Sequence, residues 1–351
     1  MSRLALQAFG LEEDMMKVTP YGNGLINHTW KVELPGRKFI LQKINTEVFP
    51  KPALISCNIR KVSEFLKQEH PGYAFVAPLT TSAGQDTYED QSGCYRLFPF
   101  VSNSTTVDVV QDAGQAGKAA AQFGKFTSLL TGFDCTTLNI TIPSFHNLSD
   151  RFSQFELSLI NGNRRRVLEC EEMVKRIMQL SSIVTEYEKI TRSSAFRKRV
   201  THHDTKISNV LFDTSGEAIC VIDLDTIMPG YFISDVGDMM RTYLSPVSEE
   251  ERDESKICIR EDFYEAIVGE YYREMKNELT NEEKDHFFYA GKFIIYMQTL
   301  RFLTDYFNND RYYKAAYAGQ NLNRASNQLV LLEKYMEKEN LLREISDKIV
   351  E

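Results

Sequence analysis

The stretch VTHHDTKISNVLFDTSGEAICVIDLDT, from Val200 to Thr226, gathers two histidines, one lysine, one asparagine and four aspartates beside short apolar runs. The runs NVLFD and AICVID are partly β-branched, and TSGE lies between them. This pattern predicts a β-hairpin with a two-residue turn at Ser215-Gly216. A metal site, a surface turn and a phosphate-handling site are the interpretations open at this point.

The register of this predicted hairpin brings two oxygen-bearing side chains to one end. Asn209 lies opposite Ile222, about 4.5–5.5 Å away at Cα, so Asn209 and Asp223 are close enough to share a cation. Mg²⁺ prefers oxygen ligands, and an asparagine with an aspartate can hold it while nucleotide phosphates fill other positions. Asp204, on the loop entering the first strand, can take a proton from an acceptor hydroxyl, and Lys206 can neutralise the transferring phosphoryl group. The pattern therefore indicates phosphoryl transfer.

The bulk properties exclude several classes of protein. The chain has 351 residues, 42% apolar and 26% charged, which is ordinary for a folded protein of one large domain or two lobes. Its net charge is -8 without a basic tail, so we expect no nucleic-acid partner. Six scattered cysteines without zinc-like spacing predict reduced thiols. With neither a secretory signal nor a run of ~18 apolar residues, we expect a cytoplasmic protein that does not bind membranes. We also expect a monomer.

The chain changes character near residue 100. HTWKVEL and KFILQKI predict strands joined by PGR, KPALISCNIRKVSEFLKQ predicts a helix, and YAFVAPL, DTYED and CYRLFPFV predict three further short strands. From residue 101 onward, long helical patterns prevail, and the hairpin is the one strand-like island. We predict an α+β fold with a small β-rich N-terminal lobe (1–100) and a large, mainly helical C-terminal lobe (101–351).

The residues HHDTKISN, at positions 202–209, resemble the H-x-D-x-K-x-x-N catalytic loop of the protein-kinase-like phosphotransferases. VID, at positions 221–223, resembles the metal-binding strand of their small-molecule branch, which contains aminoglycoside, choline and homoserine kinases. The loop motif alone is moderately specific, and the hairpin and aspartate that follow it strengthen the match. The resemblance implies a protein-kinase-like bilobal fold, ATP as phosphoryl donor and Mg²⁺ as the metal.

Polar residues around this motif have more than one interpretation. In the resemblance, His202 braces the catalytic loop; the alternative is a metal pair with His203, although adjacent residues do not easily face one ion. Asp225 resembles the acid that ligates a second cation in choline kinases, and a capping role is the alternative. Asp235 and Asp238 are expected to brace the catalytic loop or to cap the next helix.

The N-terminal lobe offers residues for the nucleotide. TPYGNGLINHTWKV places Gly22 and Gly24 before a strand, where a phosphate-covering loop needs glycines, although an ordinary turn explains them too. Asn27 stands near the third glycine position of the kinase pattern. KFILQKIN offers Lys43 as the strand lysine that contacts phosphates, while strand alternation can turn Gln42 inward instead.

The segment RLFPFV is interpreted as the link between the lobes. Backbone groups of Phe98 and Phe100 are candidates for contacts with adenine, and apolar packing is their simpler role. The helix partner of the strand lysine is left open, because Glu64 lies late in the predicted helix and Asn58 takes the more central position.

A wider resemblance concerns the acceptor. The blocks that carry it are YGNGLINHTWKV, FILQKIN, YRLFPFV, FHNLSDR, THHDTKISNVLFD, VIDLDTIMPG and RFLTDYFNNDRYYK. Together they resemble N-acetylhexosamine 1-kinases, which phosphorylate the anomeric hydroxyl of GlcNAc or GalNAc with ATP. By that resemblance Arg301 and Tyr312 face the sugar, and His146 lines the acceptor pocket. The alternatives are a salt bridge of Arg301 with Asp305, worth ~0.5 kcal/mol, and a loop histidine with a structural role.

Other functions compete with the sugar 1-kinase. Within the same class, the acceptor is an aminoglycoside, a choline-like alcohol or homoserine. A metal-dependent hydrolase that uses the histidine-aspartate cluster comes from another class, and a nucleotide-binding scaffold without catalysis is a third interpretation. The partners expected under the leading hypothesis are ATP and a small molecule, an amino sugar.

Overall fold

The structure is a computed structural model that describes residues 3–11, 16–22 and 26–351. The strands are β1 Lys17–Pro20, β2 His28–Leu34, β3 Arg37–Ile44, β4 Tyr88–Asp90, β5 Gly93–Pro99, β6 Ser104–Thr105, β7 Arg199–Thr201, β8 Val210–Asp213, β9 Ala218–Val221 and β10 Met228–Gly230. The helices are α1 Arg3–Ala8, α2 Pro52–Glu69, α3 Ala113–Leu129, α4 Leu148–Asn161, α5 Arg164–Glu169, α6 Glu171–Gln179, α7 Ser182–Arg192, α8 Phe232–Tyr243, α9 Glu261–Met275, α10 Asn281–Lys284, α11 Phe287–Phe307, α12 Gln320–Glu337 and α13 Glu339–Val350. The predicted division into a β-rich beginning and a mostly helical remainder is confirmed.

The chain forms two compact units whose segments interleave in sequence. The first unit comprises Met1–Thr106, Leu129–Pro143 and Asn209–Pro229. The second comprises Val107–Ser128, Ser144–Ser208 and Gly230–Glu351. The β8–β9 hairpin therefore belongs to the first unit, and the loop that precedes it belongs to the second. The lobe boundary at residue 100 stays a prediction.

The first unit contains a five-stranded antiparallel sheet in the order β1-β2-β3-β5-β4. One face of this sheet packs on α1, and its buried side chains include Val32, Leu41 and Leu97 together with Leu6 of the helix. Side chains alternate between the two faces of a strand, so neighbours of these residues face the other way. This alternation decides below which polar side chains share a face.

One predicted strand of this unit is wrong. YAFVAPL contributes only an isolated bridge, in which the Leu79 N–H donates to the Leu97 carbonyl at 2.7 Å. Pro78 has no backbone N–H, so the segment cannot extend a regular ladder there. The helix over KPALISCNIRKVSEFLKQ is confirmed as α2, which begins with Pro52 in its first turn.

The hairpin of the opening stretch forms, with a turn different from the prediction. Val210 pairs with Val221 and Leu211 with Cys220, as the predicted register requires at that end. The Asp213 N–H donates to the Glu217 carbonyl at 2.9 Å, so three residues rather than two form the turn. A bulge beyond Leu211 absorbs the extra residue. The apolar pattern set the register at the open end, and the turn adapted to it.

The second unit is built around α11. Most of this helix is buried, and α8, α12 and α4 pack against it. Gly237 of α8 lies so close to the backbone of Ala290 that a Cβ there would overlap with the Ala290 carbonyl. A second glycine, Gly291, gives Tyr335 of α12 the same close approach. Within the described ranges, no helix is both long enough and apolar enough to cross a bilayer.

Candidate active site

The loop before β8 is fixed by two carboxylates of α8. Asp235 accepts hydrogen bonds from the backbone N–H of His202 at 3.0 Å and of His203 at 2.7 Å. Asp238 accepts one from the backbone N–H of Thr205 at 2.8 Å. The two acids thus hold the amides on both sides of Asp204, which is the bracing role predicted for them. Buried amides that are satisfied in this way set the backbone of a loop firmly.

Both histidines of the loop are used for packing. The His202 ring is fully buried and lies edge-on to Phe123, with 5.2 Å between centroids. His203 has φ +65° and hydrogen-bonds to Thr201 Oγ1 and Ser234 Oγ, each at 2.7 Å. Among the described residues, no group of three His, Cys, Asp or Glu side chains is placed to hold a metal ion. The brace interpretation of His202 therefore fits better than the metal pair.

Asp204 stands apart from these buried acids. Its side chain is 26% exposed, and it forms an ion pair with Lys206 at 3.1 Å. Lys206 is itself 44% exposed, so the pair is open to solvent. The two side chains predicted to act as base and charge stabiliser thus lie together and are partly exposed to solvent, and their roles stay a prediction.

The bracing carboxylates have unusual acidities. Burial raises the pKa of Asp235 to about 6, against the opposing effect of the His202 and His203 amides. Burial also raises the pKa of Asp238, while the charge of Arg241 opposes the rise. Arg241 donates to Asp238 Oδ1 from Nε at 3.1 Å and from Nη2 at 3.0 Å. A partly buried cation therefore keeps Asp238 in its acceptor role.

The open end of the hairpin carries the predicted metal ligands. The Ile222 N–H donates to the Asn209 carbonyl at 2.9 Å, so Asn209 and Asp223 occupy the same end of the ladder. Asn209 is 3% exposed. Asp223 is left-handed, with φ +61° and ψ +58°, a conformation that costs a residue with a side chain about 1–3 kcal/mol. Such strain is concentrated at functional sites, and metal binding by this pair stays a prediction.

Asp225, the third predicted metal ligand, binds an arginine. Its carboxylate accepts two hydrogen bonds from Arg96, at 2.5 Å and 2.9 Å, and one from Asn27 at 2.9 Å. The Asp225 backbone carbonyl accepts from Thr141 Oγ1 at 2.9 Å. The sequence reasoning did not single out Arg96, which lies inside the apolar segment YRLFPFV. An arginine in the middle of an otherwise apolar strand is unusual, and this signal could have identified Arg96.

The predicted strand lysine lies on the other face of the sheet. Gln42 pairs with Arg96, and Lys43 pairs with Tyr95 on the α1 face. Lys43 covers Gly93 so closely that a Cβ there would come within 2.5 Å of Lys43 Cε. Gln42 Oε1 accepts from Arg96 Nε at 3.0 Å and from Nη2 at 2.8 Å. Of the two alternatives, Gln42 is the residue that shares a face with Asp225.

The other predicted nucleotide contacts are placed as follows. Gly22 has φ +76°, as expected of a glycine turn, and Gly24 lies outside the described residues. The Phe98 ring lies 5.0 Å from the Arg96 guanidinium. The Phe100 N–H donates to the Lys38 carbonyl at 3.1 Å, so this amide is not available for adenine. The Phe98 ring contact is consistent with packing, and adenine contacts of the Phe98 backbone stay a prediction.

Asn58 occupies the central position of α2, where the sequence left the helix partner of the strand lysine open. Asn58 is fully buried, and its Nδ2 donates to the carbonyls of Asn139 at 2.8 Å and Ile227 at 3.0 Å. Asn58 Oδ1 accepts from the Asn139 backbone N–H at 2.8 Å. Since its donors and acceptor are used, Asn58 fixes the segment after Asp225 rather than pairing with a lysine.

The second unit brings the predicted acceptor residues together. The Arg301 guanidinium lies 5.3 Å from the Phe145 ring, 5.8 Å from Tyr312 and 5.4 Å from Tyr313. Arg301 donates to Gln298 Oε1 at 3.2 Å. The sequence analysis had singled out Arg301 and Tyr312. It had not singled out Phe145 and Tyr313, although both lie in the quoted blocks FHNLSDR and RFLTDYFNNDRYYK, nor Gln298, which lies outside them.

The salt-bridge alternative for Arg301 is wrong. The buried Asp305 carboxylate accepts the backbone N–H of Tyr312 at 2.8 Å and of Tyr313 at 2.9 Å. In the described parts of the chain, no acidic side chain forms an ion pair with Arg301. Asp305 therefore shapes the loop that carries both tyrosines, and the contacts of Arg301 are with Gln298 and the aromatic rings.

His146 joins this cluster to the catalytic loop. Its ring stacks on Phe145 with 4.4 Å between centroids and lies 5.1 Å from the His203 ring. It hydrogen-bonds to Ser234 Oγ through Nδ1. Burial, followed by the positive charges of His203 and Arg301, lowers the pKa of His146 well below its usual value. His146 is therefore neutral near pH 7.

Comparisons with known proteins bear on the family and the fold. Residues 17–257 match the model of the phosphotransferase enzyme family. An aminoglycoside phosphotransferase from Alicyclobacillus acidocaldarius has a similar structure, with a TM-score of 0.63, 14% identity and coverage of 99% of this chain and 97% of that chain. A microcompartment-associated aminopropanol kinase gives a TM-score of 0.60, 15% identity and 97% coverage of both chains. A spectinomycin phosphotransferase, solved with ADP and spectinomycin, gives 0.52, 14% identity and coverage of 99% and 96%. The predicted protein-kinase-like fold is confirmed.

Proposed function

The chain belongs to the phosphotransferase enzyme family, and from that premise we propose that it is an ATP- and Mg²⁺-dependent kinase for the anomeric hydroxyl of an N-acetylhexosamine. Membership makes it a small-molecule phosphotransferase. The donor, the metal and the sugar are our proposal. The observation that carries it is the fixed loop in which the Asp204–Lys206 pair is open to solvent while the acids that brace the loop are buried.

Asp204 acts as the base in this proposal. The acceptor hydroxyl gives its proton to the Asp204 carboxylate, while its oxygen forms a bond to the γ-phosphorus and the bond to the β-phosphate oxygen breaks. ADP leaves with the electron pair of that bond. Lys206 moves from its ion pair with Asp204 to the transferring phosphoryl group, whose negative charge it offsets.

Asn209 and Asp223 fit the metal by their chemistry. They supply an amide oxygen and a carboxylate oxygen from one end of a hydrogen-bonded hairpin, which suits a hard cation that keeps further positions for phosphates. When bound, Mg²⁺ neutralises the developing charge on the nucleotide phosphates. The left-handed backbone of Asp223 supports this role, because such strained conformations are concentrated at functional sites.

The charges around Phe145 support a neutral acceptor. Arg301 is surrounded by rings. The pKa of Arg151 is lowered mainly by burial and next by the charge of the nearby Arg301. Two guanidinium groups beside the neutral His146 repel a cationic amine, and they donate well to hydroxyl and carbonyl oxygens. The rings offer apolar surface to a sugar face. An N-acetylhexosamine fits this chemistry better than an amino alcohol.

Amino-alcohol and aminoglycoside kinases remain the second candidate, because the structural neighbours carry those names. The hydrolase interpretation loses its basis, since the rings of His202 and His203 are engaged in packing. A nucleotide-binding scaffold would not need the solvent-open pair of Asp204 and Lys206.

An ADP-release assay over a panel of acceptors tests the proposal. The panel contains GlcNAc, GalNAc, glucose, aminopropanol, choline, homoserine and an aminoglycoside, with an acceptor-free control. We expect ADP release above the acceptor-free rate with GlcNAc or GalNAc. Turnover only with the amines would remove the sugar assignment, and no ATP-dependent transfer at all would remove the kinase assignment.

A further inference from the structure

We propose that Arg96 and Asp225 form a positioning clamp for the nucleotide, in which Asp225 is the counter-ion of Arg96 rather than a second metal ligand. Arg96 is thus a positioning residue that acts through Asp225 on the loop carrying Asp223. The inference rests on the proposed function, because it concerns how the same chain orders its nucleotide and metal ligands.

The Arg96–Asp225 pair is buried, and nearly all N–H groups of its guanidinium are hydrogen-bonded. The Arg96 side chain is 1% exposed and that of Asp225 is 3% exposed. Nη1 and Nη2 of Arg96 donate to the two carboxylate oxygens, while Nε and Nη2 donate to Gln42 Oε1. A guanidinium has five N–H groups, so four of them are already used. Arg96 is therefore held in one orientation and holds Asp225 in turn.

These partners leave Asp225 ill-suited to a second cation. Each of its oxygens already accepts from Arg96, and one also accepts from Asn27. A divalent ion at this carboxylate would meet the guanidinium charge a few ångströms away, where burial makes repulsion strong. With Asp225 neutralised by Arg96, we assign the metal to Asp223 and not to Asp225 in this segment.

The clamp fixes Asp223 from the downstream side. Asp223 needs a left-handed backbone, which persists only when its neighbours determine it. On the upstream side the Ile222 N–H is held by Asn209, and on the downstream side Asp225 is held by Arg96. The short 3-10 turn Leu224–Thr226 connects the two anchors. Loss of the downstream anchor frees Asp223 to leave its strained conformation.

The same carboxylate also reaches the segment that follows the glycines. Asn27 donates to Asp225 and accepts from the Asn45 backbone N–H at 3.0 Å. The loop before β2, the end of β3, the middle of β5 and the turn after Asp223 are thus tied together at one ion pair. Lys43 lies outside this network, over Gly93 on the opposite face of the sheet.

Binding of MgADP and thermal melting of the whole protein test the clamp without relying on turnover. Arg96→Met leaves a buried carboxylate unpaired, so we expect the Tm to fall by about 5–10 °C. The double variant Arg96→Met with Asp225→Leu removes both charges, and we expect it to regain a Tm within about 2 °C of the wild type. Lys43→Met is the matched control, because it removes a cation from the opposite face of the same sheet.

The stable double variant separates three roles. Under the clamp, its Kd for MgADP stays about 10-fold above the wild type, and the free Mg²⁺ that gives half-maximal binding rises in the double variant and in Arg96→Met alike, because both changes free Asp223. A recovered Kd would show that the pair is merely structural and overturn the proposal. A rise in the Mg²⁺ requirement of the double variant that Arg96→Met, which keeps Asp225, does not share would make Asp225 a metal ligand and overturn it equally.

Two further variants test the same interpretation. Arg96→Lys keeps the charge but loses the fork, so a Kd about 3-fold above the wild type is expected, and an unchanged Kd would contradict the clamp. Lys43→Met is expected to bind MgADP within about 2-fold of the wild type, and a loss equal to that of the double variant would contradict it too. Failure of the proposed function shows in the wild type itself, as no ADP release with the sugars, whereas failure of the clamp shows only as differences among variants.

Discussion

The catalytic loop at 202–206 and the hairpin end at 209 and 223 are adjacent in sequence, yet they are fixed by different means. The loop is fixed through its backbone, because Asp235 and Asp238 accept three of its amides. The hairpin end is fixed by a ladder bond on one side and by a buried ion pair between side chains on the other. A motif with fixed spacing describes the first arrangement well, whereas the second depends on partners from distant strands.

We propose that the loop carries the chemistry and that the hairpin end binds the nucleotide. Substitution of Asp204 tests that division with the largest expected effect. Asp204→Asn removes the proposed base, so we expect kcat to fall by about 10³-fold while the Kd for MgADP changes by less than about 2-fold. Asp213→Asn, at the exposed turn of the hairpin, serves as the matched control and keeps full turnover. Near-normal turnover of Asp204→Asn would remove this residue from the mechanism.

The converse substitution sharpens the comparison from the hairpin side. Asp223→Asn weakens the proposed metal site, and we expect MgADP to bind about 100-fold more weakly, since even outer partners of a metal cost 10–100-fold when lost. Calorimetric titration at fixed free Mg²⁺ measures this. If Asp204→Asn and Asp223→Asn weakened nucleotide binding alike, the two regions would not have the separate roles assigned to them.

A third substitution asks whether acceptor binding belongs with the loop. Arg301→Met removes a guanidinium from the ring cluster, so we expect the KM for the sugar to rise about 10-fold while the KM for ATP stays the same. Arg311→Met, an exposed arginine on the same loop as Tyr312, is the control. A rise in the KM for ATP instead would move Arg301 out of the acceptor site.

The smallest expected effect is a pH dependence of stability. The pKa of Asp235 is raised to about 6 from about 3.9 in the unfolded chain, so the folded state binds the extra proton between these values. The wild type therefore gains stability relative to Asp235→Asn as the pH falls from 7 to 5, by about 1 kcal/mol. Denaturant unfolding of both proteins at the two pH values measures the difference. A gap that stayed constant or moved the other way would contradict burial as the cause.

The sequence predicted best what is local. The hairpin register at Asn209 follows from apolar runs, and the bracing role of Asp235 and Asp238 follows from their place after the motif. The turn has three residues instead of the predicted two. The bulge beyond Leu211 that accommodates the extra residue depends on packing, which the segment TSGE does not reveal.

What the sequence could not settle is which face a strand presents. Gln42 and Lys43 alternate, and only the pairing of β3 with β5 shows that Gln42 meets Arg96. Arg96 itself was hidden in an apolar run. In the same way, Asp305 was expected to pair with Arg301, because its contact with the amides of the tyrosine loop depends on how the chain returns after α11.

Identification of the phosphorylated atom tests the central claim most directly. The purified protein is incubated with MgATP and GlcNAc or GalNAc, and the product is examined by phosphorus and proton NMR beside the Asp204→Asn variant. The account predicts phosphate on the anomeric oxygen, formed in equal amount with ADP and absent with the variant. Phosphate on another position, on an amine-bearing acceptor alone, or released only as free phosphate would contradict it.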